Sequence, residues 1–156
     1  MTAVTVREIT NPEEKQKITR KVLEALPDWF GNESAREDYI AKSAGAPYAA
    51  VFENGRAIGM AALKTTSPAA MEIMVMGVLK EYHRSGAGRA LIDWAKSYAK
   101  QQNCEYLHLK TLDESANYPP YEITRAFYTA VGFVPLECLP TLWDEENPCL
   151  IMIQKL

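Results

Sequence analysis

The stretch VLKEYHRSGAGRALIDWAK, residues 78–96, constrains the fold of this chain more than any other part of it. It begins as the end of an apolar strand, passes through a turn, and continues as a helix with apolar residues every three or four positions. Gly86 and Gly88 stand at the start of that helix, where a hydrophobic core requires no glycine. A helix start leaves backbone N–H groups unpaired and partly positive, so glycines there allow an anion to approach the backbone closely.

Basic side chains surround the two glycines, although the chain has a formal net charge of −3. They are Lys80, His83, Arg84 and Arg89, and together with the glycines they predict a pyrophosphate site. The dinucleotide fingerprint GxGxxG is not met because Leu91 occupies its third glycine position, and the Walker pattern GxxxxGK[ST] is absent. The alternative interpretation is that the glycines only form a tight turn.

The N-terminal third predicts a strand followed by two helices. Residues 4–9 alternate apolar and polar side chains, as a strand does. The first helix is predicted to be capped by Asn11, with Pro12 in its first turn and Glu14 completing a capping box, and to end at Pro27. A second capping box, Ser34 with Glu37, predicts a short helix that stops near Gly45.

The remainder predicts six more strands and one further helix besides the one after the glycines. A hairpin over 47–64 turns at Asn54-Gly55. The other predicted strands cover 70–79, 105–112, 133–143 and 149–154. A polar loop holding two prolines precedes the last helix, which is marked by an apolar stripe and closed by Gly132; the stripe comprises Ile123, Phe127, Ala130 and Val131. We expect a single α/β domain over 1–156.

Composition excludes several classes of protein. The acidic balance argues against a nucleic-acid partner and is compatible with a cationic substrate. No apolar run approaches a membrane span, and the first residues lack the apolar segment of a signal peptide. Cys104, Cys138 and Cys149 form no CxxC pair, and two distant histidines form no metal-binding pattern. We therefore expect a cytoplasmic protein with reduced thiols, no metal and no membrane partner.

Two motifs resemble signatures of one known family. EYHRSGAGRALI resembles the acyl-CoA-binding motif [QR]xxGx[GA] of the GNAT superfamily of N-acetyltransferases, with His83 where Gln or Arg is usual. TRAFYTAVGFVPLE resembles the second signature of that superfamily, an aromatic-Tyr pair followed by Gly-Phe. The resemblance covers nearly the whole chain. It implies an α/β (α+β) fold with a strongly twisted mixed sheet of about seven strands, of which the fourth and fifth splay apart, and about four flanking helices.

The resemblance also implies acetyl-CoA, and hence coenzyme A, as the cosubstrate. The pantetheine arm would enter between the splayed strands and pair with the fourth strand, while the pyrophosphate would bind at the glycine turn. The predicted cofactor-binding residues are Gly77, Val78, Leu79, His83, Arg84, Ser85, Gly86, Ala87, Gly88, Arg89 and Phe127. Many family members carry an Asn seven residues before the signature Tyr, and here that position is Tyr121.

Glu72 is the predicted general base for removing a proton from an acceptor amine. By regular two-residue alternation it shares a strand face with Met74, Met76 and Val78. Some members of the family resemble this chain in carrying a Glu at the corresponding place, where it acts directly or through water. The alternative is a solvent-facing Glu at a strand start. A backbone N–H near Val78 would stabilise the oxyanion.

Tyr128 is the predicted general acid, because the resemblance places its hydroxyl near the thioester sulfur. On a helical wheel Tyr128 is turned about 100° away from the stripe that contains Phe127. The alternative is a tyrosine that bridges core and surface. His108 lies between Leu107 and Leu109 and points to the opposite face, which favours a histidine on the polar face over a base.

The acceptor site is less constrained. Aromatic residues that could line it are Trp29, Phe30, Tyr39 and Tyr118. Carboxylates that could attract a cationic amine are Asp28, Asp38, Asp113 and Glu114. Ordinary core or surface positions explain each of these equally well.

The predicted function is transfer of an acetyl group from acetyl-CoA to a primary amine of a small molecule or peptide. Direct attack in a ternary complex is expected because neither motif contains a cysteine that could carry an acyl group. Two alternatives stay open, a non-catalytic acyl-CoA-binding sensor module and transfer of a longer acyl group. A homodimer also stays open.

Overall fold

The computed structural model describes residues 3–156, which form one seven-stranded sheet with α-helices on both faces. The strands are β1 (Thr5–Glu8), β2 (Tyr48–Glu53), β3 (Arg56–Ser67), β4 (Ala70–Val78), β5 (Tyr106–Leu112), β6 (Val134–Asp144) and β7 (Asn147–Lys155). The helices are α1 (Pro12–Glu24), α2 (Glu33–Ser43), α3 (Ala87–Gln101) and α4 (Pro119–Ala130). Single turns of 3-10 helix lie at Lys80–Tyr82 and Glu114–Ala116.

The sheet is mixed, as predicted. Its strand order is β1-β2-β3-β4-β5-β7-β6, and β4 runs parallel to β5 while the other neighbours are antiparallel. The hairpin between β2 and β3 turns at Asn54 and Gly55, whose φ angles of +52° and +76° fit the expected turn. Helices α1 and α2 pack on one face of the sheet, and α3 and α4 pack on the other.

The predicted N-terminal cap is confirmed for α1 and is wrong for α2. The side chain of Asn11 accepts a hydrogen bond from the Glu14 N–H at 2.9 Å, as predicted for α1. For α2 the predicted cap at Ser34 is wrong, because Asn32 accepts from the Ala35 N–H at 2.8 Å and starts the helix earlier. An asparagine caps as well as a serine does, so the upstream residue lengthens the helix.

The first turn of α4 contains the two prolines that were predicted to lie in a loop. Pro119 and Pro120 are tolerated there because the first helical residues need no N–H donor within the helix. The predicted core position of Ile123 is wrong, since this residue is 65% exposed. Ile123 lines the open cleft instead of the core.

A β-bulge interrupts β4 at Met74. Ala62 on β3 pairs with Val75, whereas the next residue, Leu63, pairs with Ile73. Met74 is therefore an extra residue on β4, which shifts the alternation of side chains and bends the strand.

The bulge overturns the predicted shared face of Glu72, Met76 and Val78. Ile73 packs in the core with α3, so Glu72 points to the α1 and α2 layer. Gly77 also faces that layer, because a Cβ built on it would lie 2.9 Å from a side chain of α1. The neighbours of Gly77 on either side, Met76 and Val78, therefore point to the opposite face.

The same region opens the sheet. Strands β4 and β5 pair only from Ala70 with Tyr106 to Ile73 with Leu109. Beyond that point β5 continues to pair with β7 as far as Leu112, while β4 bends away. The predicted splay of the fourth and fifth strands is confirmed, and it leaves a gap lined by unpaired backbone groups.

Candidate active site

A cleft of about 900 Å³ occupies the gap between β4 and β5. Its walls come from those two strands, from the glycine turn before α3, from α4 and from the segment between α1 and α2. Tyr39 of α2 and Trp143 of β6 complete the lining. The cleft is the natural place for a ligand because it combines concave shape, apolar surface and free backbone groups.

The two glycines of the turn serve different purposes. Gly86 has a φ of +90°, which side chains rarely tolerate, and open space surrounds its Cα. Gly88 lies inside α3, where an added Cβ would be 2.9 Å from Cζ of Phe127. Gly86 therefore shapes the turn, whereas Gly88 allows α4 to pack against the start of α3.

The start of α3 offers unpaired N–H groups. Gly86 provides no side-chain cap, and the first turn contains no acidic residue. Ser85 Oγ accepts from the Ala87 N–H at 3.2 Å, and within residues 3–156 the N–H groups of Gly88 and Arg89 have no protein partner. This is the arrangement that binds phosphate oxygens at a helix start.

Three basic side chains border the same end of the cleft. Lys80, Arg84 and Arg89 all line it, and none of them makes an ion pair within the described part of the chain. They are available to neutralise the charge of a bound anion.

The backbone of β4 presents Val78 to the cleft. The Leu79 N–H donates to Ile58 O on β3 at 2.8 Å, so Leu79 faces β3 and the neighbouring Val78 faces the gap. Nε2 of His83 lies 2.8 Å from Val78 O, and the ring is also edge-on to Trp29 at 5.7 Å between centroids. His83, which stands where the motif usually has Gln or Arg, is therefore anchored to the strand that should bind the cofactor.

Eight of the eleven predicted cofactor-binding residues line the cleft. They are Gly77, Val78, His83, Arg84, Gly86, Gly88, Arg89 and Phe127. Leu79, Ser85 and Ala87 are not part of its walls: Leu79 and Ala87 are buried in the core, and Ser85 caps the helix.

Tyr128 lines the cleft and is half-buried against Phe127 and Phe133. Burial raises the pKa of its phenol to about 12. Among residues 3–156 its hydroxyl has no hydrogen-bond partner, whereas the hydroxyls of Tyr48, Tyr118 and Tyr121 bond to protein groups. A neutral hydroxyl that is free and faces a cleft is suited to donate a proton.

Glu72 is not part of the cleft wall. Its carboxylate Oε2 lies 2.7 Å from Nζ of Lys110, and the two side chains are 8% and 34% exposed respectively. Lys110 borders the cleft, and Glu72 lies behind it. Sequence reasoning missed Lys110, although alternation along β5 places it on the same polar face as His108, the parallel partner of Glu72.

Sequence reasoning also missed Thr111, whose buried hydroxyl is unusual. It is 3% exposed, it lines the cleft, and its Oγ1 has no hydrogen-bond partner within the described residues. Buried hydroxyl groups are nearly always paired, so an unpaired one in a cleft wall indicates a site for a ligand atom or water. No pattern in the sequence distinguishes it from an ordinary strand threonine.

Hydrogen bonds tie the segment between α1 and α2 to the start of α4. Trp29 Nε1 donates to Thr124 Oγ1 at 2.9 Å, and the Tyr121 hydroxyl donates to Trp29 O at 2.9 Å. The Tyr118 hydroxyl donates to Asp28 O at 2.7 Å. Tyr121, which replaces the usual Asn, therefore holds one wall of the cleft in place, and burial raises the pKa of its phenol.

Most of the aromatic residues predicted for the acceptor site line the cleft, whereas the predicted carboxylates do not. Trp29, Phe30 and Tyr39 line the cleft, but Tyr118 does not. None of the four predicted carboxylates lines it: Asp28, Asp38, Asp113 and Glu114. Asp38 instead pairs with Lys42 at 2.8 Å, and Asp113 accepts from the backbone and side chain of Ser115.

His108 stays outside the cleft walls. Its Nε2 lies 2.7 Å from Thr66 Oγ1 on β3, and burial lowers its pKa.

Within residues 3–156 no helix is long and apolar enough to cross a membrane. The same residues contain no group of three His, Cys, Asp or Glu side chains able to hold a metal ion.

A comparison with known proteins identifies the family to which this chain is similar. The family model described as acetyltransferase (GNAT) family matches residues 6–133. Curated protein sequences yield no significant match.

Many solved structures share the fold. Ard1 from Thermoplasma volcanium is 19% identical with a TM-score of 0.77, covering 99% of this chain and 98% of that one. The PaiA N-acetyltransferase from Thermoplasma acidophilum, in complex with coenzyme A, is 16% identical with a TM-score of 0.73 and 99% coverage of both chains. A GNAT family acetyltransferase from Elizabethkingia anophelis with acetyl-CoA bound is 15% identical with a TM-score of 0.72 and 98% coverage of both. At these identities the likeness shows the fold.

Proposed function

This chain belongs to the GNAT acetyltransferase family, and we propose that it transfers the acetyl group of acetyl-CoA to the nitrogen of a primary amine. One observation carries the proposal: a single cleft joins an anion-binding helix start to the free hydroxyl of Tyr128 through the gap between β4 and β5. The continuity of the sheet from β1 to β6 supports one working domain.

The donor acetyl-CoA would bind along the cleft, from the glycine turn to the exposed backbone of β4. The N–H groups of Gly88 and Arg89, with three cations that make no ion pair within residues 3–156, suit the pyrophosphate of coenzyme A. The exposed backbone of Val78 suits an amide of the pantetheine arm. Because His83 already bonds to Val78 O, an amide N–H that binds this oxygen must share it with the imidazole ring or displace the ring. Two of the structures with this fold hold acetyl-CoA or coenzyme A, which supports the same donor here.

The chemistry proceeds by direct attack in a ternary complex. The acceptor ammonium first loses a proton, since an alkylammonium with a pKa of about 10 is mostly charged at neutral pH. The neutral nitrogen then forms a bond to the thioester carbon, and the backbone N–H of Val78 stabilises the oxyanion. The C–S bond breaks as Tyr128 donates its proton to the leaving sulfur, and the nitrogen of the tetrahedral intermediate gives up its second proton, which restores the phenol of Tyr128. The products are the amide and free coenzyme A.

Glu72 is the proposed acceptor of the ammonium proton. Because Glu72 exposes only 8% of its side chain and Lys110 stands between it and the cleft, we propose that a water carries the proton to it. This differs from a base that touches the amine directly.

A second candidate is a non-catalytic acyl-CoA-binding module, because the donor site alone would serve it equally well. The position of Tyr128 favours the enzyme, since a binding module has no need of a free, neutral hydroxyl beside the strand gap.

The deciding experiment incubates the protein with acetyl-CoA and a panel of primary amines, and measures free coenzyme A together with the acetylated amine. Stoichiometric formation of both supports the proposal. Stabilisation by acetyl-CoA in thermal unfolding, without turnover on any amine, would instead support the binding module.

A further inference from the structure

Five aromatic side chains line the cleft outside the glycine turn and the Phe127–Tyr128 pair. They are Trp29, Phe30, Tyr39, Tyr121 and Trp143. Two of them are held in place, since Trp29 bonds to Thr124 and Tyr121 bonds to Trp29. A rigid aromatic wall favours a ligand with a flat apolar group over a flexible polar chain.

The charged groups of the cleft wall are all cationic. Lys80, Arg84 and Arg89 lie at the glycine turn, where the donor phosphates account for them. Lys110 lies apart from these three, on β5, and no Asp or Glu among the described residues lines the cleft. A polycation would therefore lose its hydration without finding a carboxylate in the wall.

The ammonium of Lys110 can bind a ligand in addition to Glu72. Its ammonium carries three N–H donors, and the structure uses one of them, towards Glu72 at 2.7 Å. A third of its side chain is exposed, compared with 8% for Glu72, so a ligand meets the ammonium first.

The residue after Lys110 belongs to the other face of β5. Within residues 3–156 the buried Oγ1 of Thr111 has no hydrogen-bond partner. Because successive side chains of a strand point to opposite faces, Thr111 lies on the side of Leu109 and α3, whereas Lys110 lies on the side of Glu72, so this hydroxyl is not assigned to the acceptor.

Building on the function proposed above, we propose that the acceptor is an aromatic primary amine that also carries a carboxylate, the chemical class of the aromatic amino acids. Lys110 binds the carboxylate, and the aromatic wall receives the ring. In such an acceptor the separated charges complement those of the Glu72–Lys110 pair, with the carboxylate on the ammonium side.

The first test compares three acceptors with the wild-type enzyme: phenylalanine, phenethylamine and spermidine. Phenylalanine should give the highest kcat/KM, phenethylamine should be weaker because it lacks the carboxylate, and spermidine should be weakest. Preferential acetylation of spermidine would overturn this inference and leave the proposed acetyl transfer intact. Release of no coenzyme A with any amine would overturn the proposed function itself.

Two variants test the carboxylate site. Lys110→Gln should lower kcat/KM for both amines, because Lys110 pairs with Glu72, the proposed base, but the loss should be about tenfold to a hundredfold greater for phenylalanine than for phenethylamine. Lys80→Gln is the matched control, since it should leave the ratio between the two amines unchanged. Equal losses for both amines in Lys110→Gln would overturn the assignment.

A measurement on the wild type guards against misfolding of Lys110→Gln. In the presence of coenzyme A, 3-phenylpropanoate should inhibit competitively against the amine, whereas 3-phenylpropanol should inhibit at least about tenfold more weakly. Equal inhibition by the acid and the alcohol would overturn the carboxylate site.

Discussion

The ammonium of Lys110 lies 2.7 Å from the carboxylate of Glu72, at the point where β4 and β5 stop pairing. The pair joins the two strands at the base of the gap, so it has both a structural and a chemical consequence. Removing one partner of a buried ion pair leaves the other charge buried and unpaired, which costs more folding free energy than the intact pair contributes.

Glu72→Gln should reduce turnover by about 10²–10⁴-fold at neutral pH if Glu72 accepts the ammonium proton through water. The loss should shrink as pH rises, because solvent then deprotonates the acceptor amine unaided. The measurement is a pH–rate profile of kcat and kcat/KM for both enzymes.

The control for this variant is the double change Glu72→Gln with Lys110→Gln, which leaves no unpaired charge. The double variant should regain the stability that Glu72→Gln loses by leaving the Lys110 ammonium unpaired, but it should not regain the rate. A loss below tenfold that is constant across pH would remove Glu72 from the mechanism.

Tyr128→Phe should lower kcat with little change in the affinity for acetyl-CoA, because a general acid acts mainly in the transition state. The pKa of about 12 keeps the phenol protonated throughout an ordinary assay range, so the wild type should show no loss of this acid below about pH 11. Steady-state kinetics and direct binding of acetyl-CoA together check both statements.

A thioester whose thiol leaves more easily should narrow the difference between Tyr128→Phe and wild type. If the variant instead binds acetyl-CoA poorly but turns over normally at saturation, the tyrosine contacts the cofactor and donates no proton.

Gly88→Ala should destabilise the protein by about 1–3 kcal/mol, because its Cβ would lie 2.9 Å from the Phe127 ring. The displaced α4 also carries Tyr128, so kcat should fall as well. Adding Phe127→Leu should restore much of the stability by removing the ring. Thermal unfolding of the single and double variants measures this, and a single variant as stable as wild type would contradict the packing role.

Gly86→Val tests the other glycine of the turn. No protein atom crowds this position, but the φ of +90° disfavours any side chain, and the new atoms would occupy space proposed for phosphate. Coenzyme A affinity should fall sharply while circular dichroism shows a folded protein. A folded variant with wild-type affinity would place the phosphate site elsewhere.

The sequence carried enough information for the overall fold, because local signals agree with the final structure at most elements. The glycine turn, the Asn54-Gly55 hairpin and the Asn11 cap depend on residues close together in the chain. The mixed sheet and the splayed strands followed from the resemblance of two motifs to a known family.

The details of the site were harder to predict because they depend on distant residues. Regular alternation assigned Glu72 and Met76 to one face, and the bulge at Met74 separates them. The partner of Glu72 lies 38 positions away, and no local pattern announces such a pair. The unpaired hydroxyl of Thr111 is visible only once its surroundings are known.

Tyr121→Phe should loosen one wall of the cleft, since the Tyr121 hydroxyl donates to Trp29 O at 2.9 Å. Losing one hydrogen bond of this kind costs about 0.5–1.5 kcal/mol, so global stability should change little. The KM for the acceptor amine should rise by a larger factor than the KM for acetyl-CoA, because Trp29 lines the cleft as part of its aromatic wall.

Tyr118→Phe is the matched control, because it removes a hydroxyl that bonds to the neighbouring Asp28 O from a residue outside the cleft wall. Hydrogen exchange over residues 27–31 should quicken in both variants, while the acceptor KM should respond mainly to Tyr121→Phe. Equal changes in acceptor KM for the two variants would mean that the segment moves as a whole and that Tyr121 has no special role. If acetyl-CoA binding alone weakens in Tyr121→Phe, the tyrosine takes over the cofactor contact of the usual Asn, and the wall serves the donor instead of the acceptor.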